Sequence, residues 1–473
     1  MIRRALDQLI VWIARIASRG FYRRVETAGF DRLDTRRPTL IVANHFNGFA
    51  DPVLVTAALG QLPRFLAKAT LWKVIVVRPL LAFAGVIPIH RQVDGGAGEK
   101  NRRAFEDAEA ELGDKGMIAV FPEGTTHDVP RLAPIRTGAA RIALGAKAHG
   151  VGDLQIVPVG LWFEDKVALR SRVLVRAGEP LDLDHELWSI LPAGAEASDE
   201  DHESVRALTS EITERLRAVS PDFETFLDGA AFSWAADIAL RAGMRRPQQT
   251  VPLASREPLA ARLARSAPDE RQHLTGELGR YSLSLEALGV TDEELVPRPT
   301  PTSLFKRALW LAIGVVLLAP FAIAGALINA IPAVLVLVAG LAVKSPVTKG
   351  TMRILVAIVV FPLTWLAVSW FDVGGAVIPE VLAAFTFPLS PFIELVFDGR
   401  SGFWASLLVF VTAPLFGLCA IWILEWVVGL VRLARGWYAV YARRAQLEEV
   451  MTQRAALVTD VRGVAAGQEA KSR

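Results

Sequence analysis

TLIVANHFNGFADPVLV (residues 39–55) begins as a short apolar run and stops at Asn44. A run of this kind reads as a strand. His45 follows at once, and Asp51-Pro52 arrives six positions later. Asp followed by Pro is a helix-start signal, with Asp as the N-cap and Pro at the first helical position. The two side chains cannot share a helix face, because six residues at 3.6 per turn separate them by about 240°. The stretch therefore predicts a strand, a turn holding His45, a five-residue loop (Phe46 to Ala50) and a helix opened by Asp51. That loop can bring the two side chains together. A turn histidine beside a capping aspartate explains the residues as well, and the roles are compatible, since a cap uses only part of a carboxylate's acceptor capacity.

Further strands are expected at RFLAKA (64–69), VIPIH (86–90), MIAVF (117–121), QIVPVGL (155–161) and RVLVRAG (172–178). Residues 101–112 and 137–149 read as the helices between them. Such alternation points to an α/β layer fold over residues 38–182, with reactive groups on loops leaving the strand ends. Before it, residues 1–37 hold a lead-in in which Ile2, Leu6, Leu9, Ile10, Ile13 and Ile16 recur at helical spacing among Arg3, Arg4, Asp7 and Arg15. This is an amphipathic basic helix, lying either on a membrane surface or on its own domain. Its short, arginine-broken apolar run does not fit a secretory signal.

Residues 183–303 read as a charged helical arm ending in the linker PRPTPTS (297–303). SVRALTSEITERLRAV (204–219) carries Val205, Leu208, Ile212 and Leu216 on one face. The composition then changes. From Ala308 to Val343 there is no charge, a span too long for one crossing when about 20 residues suffice. INAIP (328–332) is expected to break it into a hairpin. Residues 354–371 and 402–431 are further crossings. Residues 376–397, apolar but holding three prolines and two glutamates, are expected to be re-entrant or interfacial. Region 304–436 is thus a transmembrane unit with four crossings, placing Lys306, Arg307, Lys344, Lys349, Arg353, Arg432, Arg435, Arg443 and Arg444 on the cytoplasmic side. Residues 437–473 form a helical tail fading into disorder.

The whole chain has 473 residues, 52% of them hydrophobic, which is high for a fully soluble protein. A formal net charge of +3 gives no support to nucleic-acid binding, while 52 Lys and Arg suit anionic lipid surfaces or phosphorylated substrates. The single cysteine, Cys419, excludes an intrachain disulfide framework and a cysteine metal site.

A His–Asp pair with no nearby Ser or Cys suits a general base acting on a substrate hydroxyl, with Asp51 orienting the imidazole. AVFPEGTTHD (119–128) supplies a strand-end turn in which Gly124 permits close backbone approach. There Glu123 could bind a polyol or brace a basic residue. Arg91 ends VIPIHR, and Arg136 precedes a helix start in LAPIRTGAARIAL. Arginines at such positions suit a phosphate. His90 and His127 lie nearby without zinc-ligand spacing, and neither is given a role.

Taken in order, NHFNGFAD, GVIPIHR, FPEGTT and IVPVG resemble the four blocks of the glycerolipid acyltransferases, the superfamily that acylates glycerol 3-phosphate and lysophosphatidic acid. The resemblance covers roughly residues 38–180, about a third of the chain. It implies a mixed sheet with flanking helices, a catalytic dyad of His45 and Asp51, and an acceptor site using Arg91, Glu123, Gly124, Thr125 and Arg136. It implies an acyl-CoA or acyl carrier protein donor, no resident cofactor and no metal. The partners expected are that thioester donor, a glycerol-phosphate or lysophospholipid acceptor and the bilayer. Five residues separate His45 from Asp51 where the commoner pattern has four. The longer spacing, FPEGTTHD and RTGAARIAL resemble a branch that includes fungal glycerol-3-phosphate/dihydroxyacetone-phosphate acyltransferases and bacterial relatives. Glu394 and Glu425 within apolar stretches support a second class, a membrane scaffold or transporter with a lipid-binding α/β domain. The intact set of His45, Asp51, Arg91 and Glu123 favours the enzyme.

Overall fold

The computed structural model describes residues 2–75, 77–90, 97–244, 250–296, 300–371 and 402–472. They fall into two compact units: Met1–Ala230 with Pro252–Ala261 and Ser345–Thr351, and Ala231–Val251 with Arg262–Lys344 and Met352–Arg473.

The first unit is an α/β layer structure. Its strands are β1 (Arg24–Ala28), β2 (Thr39–Ala43), β3 (Arg64–Lys68), β4 (Ile87–Ile89), β5 (Met117–Val120), β6 (Gln155–Phe163), β7 (Arg172–Ala177) and β8 (Leu181–Asp182). They form one mixed sheet in the order β1-β7-β6-β2-β5-β3-β4, with β8 also on β6. β2 lies between β5 and β6 and is parallel to both, with Ile41 level with Ala119 and Val157. β7 and β8 run antiparallel to β6. Every residue of β2 is buried, as befits a parallel strand covered on both faces. Leu40 and Val42 enter one core with Ile118 and Ile156, while Ile41 and Ala43 enter the other with Ala119 and Val157.

Helices seal both faces. The first core takes α4 (Ala97–Gly113), α5 (Gly138–Ala148), α6 (Leu183–Ile190) and α7 (His202–Val219). The second takes α2 (Ala50–Leu59) through Leu54 and Val55. Two further helices here are α1 (Ile2–Phe21), which packs on α2, and α3 (Val77–Phe83).

The six expected strands are present, and the sheet is wider than expected. β1 lies before the predicted start at residue 38 and pairs with β7. Its sequence, RVETA, is too polar to announce a strand. α6 and α7, read as part of a separate arm, cover the sheet, because the predicted apolar face of α7 (Val205, Leu208, Ile212) needs a partner. α1 buries Val11 and Ala14 and leaves Leu9, Trp12 and Ile13 exposed. Asp7 pairs with Arg64 at 2.8 Å.

The second unit is helical, drawing on α8 (Phe226–Gly243) from Ala231, α10 (Pro268–Leu288), α11 (Asp292–Leu295), α12 (Pro301–Ala342), α13 (Pro346–Phe371) from Met352, α14 (Gly402–Ala442) and α15 (Arg444–Ser472), while α9 (Leu253–Ala264) belongs to the first unit as far as Ala261. A buried ionic knot fastens its polar part: Asp292 accepts from Tyr281 Oη at 2.7 Å and from Arg454 Nε at 2.6 Å. Among the described residues, three helical spans are long and apolar enough to cross a membrane: Pro301–Ala342, Thr348–Trp370 and Phe410–Ala442.

The expected break at INAIP is absent. α12 is one helix of 42 residues that carries Pro320 and Pro332 inside it. Asn329 explains why this stretch is polar. Its Nδ2 donates to Gly325 O at 2.8 Å and Ala413 O at 3.2 Å, and its Oδ1 accepts from Trp365 Nε1 at 2.8 Å. The asparagine ties α12, α13 and α14 together, as polar side chains do between apolar helices. The four-crossing scheme needed the hairpin; its re-entrant segment, 376–397, lies outside the described residues. The tail is helical through Ser472.

Candidate active site

The carboxyl ends of parallel strands gather loops in one crevice, and the site lies there. β2 delivers Asn44 and His45, and β5 delivers Phe121 to Glu123. Asn44 is wholly buried and clasps β6: its Nδ2 donates to Leu161 O at 3.1 Å and its Oδ1 accepts from Leu161 N at 2.7 Å. This bond pair fixes the point where the chain leaves the sheet.

His45 Nδ1 lies 2.8 Å from Asp51 Oδ2. The same oxygen accepts from Asn47 N at 2.8 Å, and Asp51 has no exposed surface. A carboxylate only accepts, so the imidazole proton is on Nδ1 and the lone pair on Nε2. The ring stacks on Phe121, with centroids 4.2 Å apart. The helix-cap expectation needs correction. α2 starts at Ala50, Phe49 is its N-cap, and that cap has no side-chain bond. Asp51 sits in the first turn and bonds backwards, to His45 and Asn47, because Gly48 (φ +50°) folds the loop over it. Beneath the loop, Asn47 Nδ2 donates to Lys166 O at 3.1 Å and lies 3.4 Å from Tyr22 Oη. Burial, with the charge of Asp51 close by, pushes the Tyr22 phenol far above its ordinary value.

Glu123 is 2% exposed and both its oxygens are engaged. Oε1 accepts from His45 N at 2.6 Å, and Oε2 accepts from Ala133 N at 2.9 Å and meets His127 Nε2. These bonds brace the protein: they tie the His45 backbone, the Ala133 backbone and the His127 ring to one carboxylate. Gly124 adopts φ +68°, and the Arg136 side chain crosses directly over it. Arg136 N donates to Pro122 O at 2.7 Å, which closes the loop between the two segments. Arg136 and Thr125 are exposed. Arg91 lies outside the described residues. The strand leading to it is pinned by Asn101, whose Oδ1 accepts from His90 N at 2.8 Å and whose Nδ2 donates to His90 O at 2.6 Å.

Three contributors carried little or no signal in the sequence. His127, noted without a role, turns its ring edge to Phe46 at 5.1 Å and bonds Glu123. Phe121 is the shelf under His45. Thr351, about three hundred residues away, belongs to the same compact unit, and its Oγ1 accepts from Phe49 N at 3.0 Å.

This geometry offers a histidine lone pair oriented by a buried carboxylate, beside a glycine turn crossed by an arginine. Residues 24–162 match the family model described as Acyltransferase. This stretch is an acyltransferase domain. Glycerol-3-phosphate O-acyltransferase 2 of Saccharomyces cerevisiae is 34% identical over 131 residues, 27% of this chain and 17% of that protein. A chloroplastic 1-acyl-sn-glycerol-3-phosphate acyltransferase of Brassica napus is 29% identical over 156 residues, 33% of this chain and 41% of that protein. The match thus spans about a sixth of the yeast relative and two fifths of the plant one. The crystal structure of the 1-acyl-sn-glycerophosphate acyltransferase PlsC from Thermotoga maritima aligns with a TM-score of 0.34 at 19% identity, over 46% of this chain and 81% of that one. In the acyltransferase domain the matched stretch begins with β1 and ends within β6, so it contains His45, Asp51, Glu123, Gly124 and Arg136.

Proposed function

We propose that the protein moves a fatty acyl group from acyl-CoA or acyl carrier protein to a hydroxyl of glycerol 3-phosphate or lysophosphatidic acid. His45 Nε2 takes the proton of the acceptor hydroxyl as its oxygen attacks the thioester carbonyl. The tetrahedral intermediate collapses, the thiolate leaves, and the imidazolium returns the proton to it. Asp51 holds the ring and offsets the charge of the imidazolium. Transfer is direct, without an acyl-enzyme, a cofactor or a metal. Arg136, with Arg91, binds the acceptor phosphate as a charge-assisted donor over the Gly124–Thr125 turn. Glu123 serves the acceptor indirectly, by fixing the His45 backbone and the 123–133 loop.

The observation that carries this reading is the 2.8 Å pair of His45 and a fully buried Asp51 at the carboxyl end of β2. The apolar helices fit it, since the acyl chain and the product both partition into lipid. The catalytic domain then faces the cytoplasm, where thioester donors are made, and the exposed Leu9, Trp12 and Ile13 of α1 rest at the bilayer surface.

The test is acyl transfer by membranes carrying the protein, offered both acceptors in parallel with each donor. A wild type that acylates neither acceptor removes the proposal. A His45→Ala variant with full activity removes the dyad.

A further inference from the structure

A second charged site lies in the helical unit, where α12 begins. A cavity of 670 Å3 opens there between α12 and α14. Ser303, Lys306, Arg307, Trp310 and Leu311 line it from α12, and Trp426 lines it from α14. The two helices run antiparallel: Gly325 packs on Phe416, Gly314 on the ring of Trp426, and Gly429 near the Arg307 guanidinium. Arg432 and Arg435, both exposed, therefore continue α14 past this same end of the pair. Among the described residues, neither Lys306 nor Arg307 forms an ion pair, so two cations face the cavity without a counter-charge. The uncharged run of α12 starts at the next residue, Ala308.

The chemistry is graded along the helix. Hydroxyls come first, at Thr300 and Ser303. Two cations follow, then the Trp310 indole with that of Trp426 across from it on α14, then a run without charge. Indoles and cations at the end of an apolar helix mark headgroup level, and basic pockets between such helices suit anionic headgroups. A soluble anion would need only the hydroxyls and cations. The indoles and Leu311 call for apolar surface attached to that anion.

We propose that this cavity holds one acidic phospholipid from the bilayer, its phosphate on Lys306 and Arg307 and its glycerol and first methylenes against Trp310 and Trp426. The site is separate from His45 and Asp51 in sequence and in unit. The inference rests on the reading of α12 and α14 as membrane-crossing.

The test uses the full chain in nanodiscs of neutral phosphatidylcholine doped with phosphatidylglycerol, and counts retained lipid by native mass spectrometry. The wild type retains one phosphatidylglycerol in preference to phosphatidylcholine, and millimolar inorganic phosphate does not displace it. Lys306→Gln and Arg307→Gln each weaken retention roughly five-fold, and together roughly twenty-five-fold. Lys306→Arg retains the lipid and guards against misfolding. Lys344→Gln, an equal loss of charge at the opposite end of α12, also retains it. Equal retention of both lipids, wild-type retention by the double variant, or displacement by inorganic phosphate overturns the proposal. His45→Ala should retain the lipid while losing acyl transfer, so failure of this site and failure of the enzymatic reading give different results.

Discussion

His45 N donates to Glu123 Oε1 at 2.6 Å while its ring bonds Asp51 Oδ2 at 2.8 Å. One buried carboxylate fixes where the histidine backbone lies, and another fixes where its ring points. The two make different predictions.

Asp51→Asn keeps the volume and removes the charge. The amide can present its NH2 to His45 Nδ1, which turns the proton onto Nε2 and takes away the base. We expect kcat to fall by about 10²–10⁴, with little change in KM for either substrate. Steady-state kinetics check this. A loss of KM alone would mean that the pair binds rather than catalyses.

Glu123→Gln acts on the frame. One oxygen can still serve the His45 or Ala133 amide, but the NH2 group then faces a donor. A buried donor left unpaired costs about 1–3 kcal/mol, so the melting temperature should fall clearly, with kcat/KM down some ten- to hundred-fold. Asp51→Asn should melt nearer the wild type. Thermal unfolding of both variants separates the frame from the base.

These two carboxylates also mark what the sequence could reveal. The apolar runs of β2, β5 and β6 announced themselves because a strand covered on both faces must be apolar throughout. The order NHFNGFAD, GVIPIHR, FPEGTT, IVPVG announced the likeness to acyltransferases. Local spacing allowed Asp51 and His45 to meet but did not require it, and it gave no sign that Asp51 bonds backwards instead of capping α2. Glu123 was expected either to accept from a polyol or to brace a basic residue, and no pattern records that it also holds the backbone of His45 and Ala133. β1 and the helices α6 and α7 were assigned outside the domain, since their placement depends on sheet pairing and face covering between distant segments. INAIP was read as a break because proline and asparagine usually interrupt helices. Asn329 instead bonds two neighbouring helices, a contact that composition cannot show.

Thr351 has no sequence signal at all, yet its Oγ1 is the acceptor for Phe49 N, in the loop between His45 and Asp51. Thr351→Val keeps the shape and leaves that amide without its partner. The loop should loosen by about 1 kcal/mol, and kcat should drop several-fold with KM nearly unchanged. Thr351→Ser should restore the rate. Failure of serine to rescue would assign the effect to the methyl group.

Glu164 offers a test in acid. Burial raises its carboxyl, but the hydrogen bond and charge of Arg172 and the nearby Arg256 outweigh burial and hold it at about 2 against an ordinary 4.5. A lowered carboxyl stabilises the fold above its ordinary value, and that stability is lost as pH falls through the folded one. Glu164 is partly exposed, and solvent screens its pairs with Arg172 and Arg256, so the contribution at neutral pH is on the order of 1 kcal/mol and should fade between pH 4.5 and about 2. Glu164→Gln should be modestly less stable than wild type at pH 7, and the gap should narrow across that window. Denaturant unfolding at a series of pH values reads it, and a gap independent of pH would assign the loss to packing.

Asn329 tests the helical unit in the same spirit. Its amide bonds Ala413 O on α14 and the indole of Trp365 on α13 at once. Asn329→Leu fills a similar volume without either bond and strands the Trp365 N–H. Interhelical bonds of this kind are worth about 0.6–1.7 kcal/mol each, so the variant should lose roughly 1–3 kcal/mol in detergent unfolding. Trp365→Phe should lose less, since it removes a single bond. In the double variant the shared bond is removed only once, so the losses should fall short of their sum by about 1 kcal/mol. Strictly additive losses would mean that Asn329 and Trp365 do not meet. Acyl transfer by Asn329→Leu should stay near wild type at low temperature and fail earlier on heating, because the dyad and the residues around it all belong to the other compact unit.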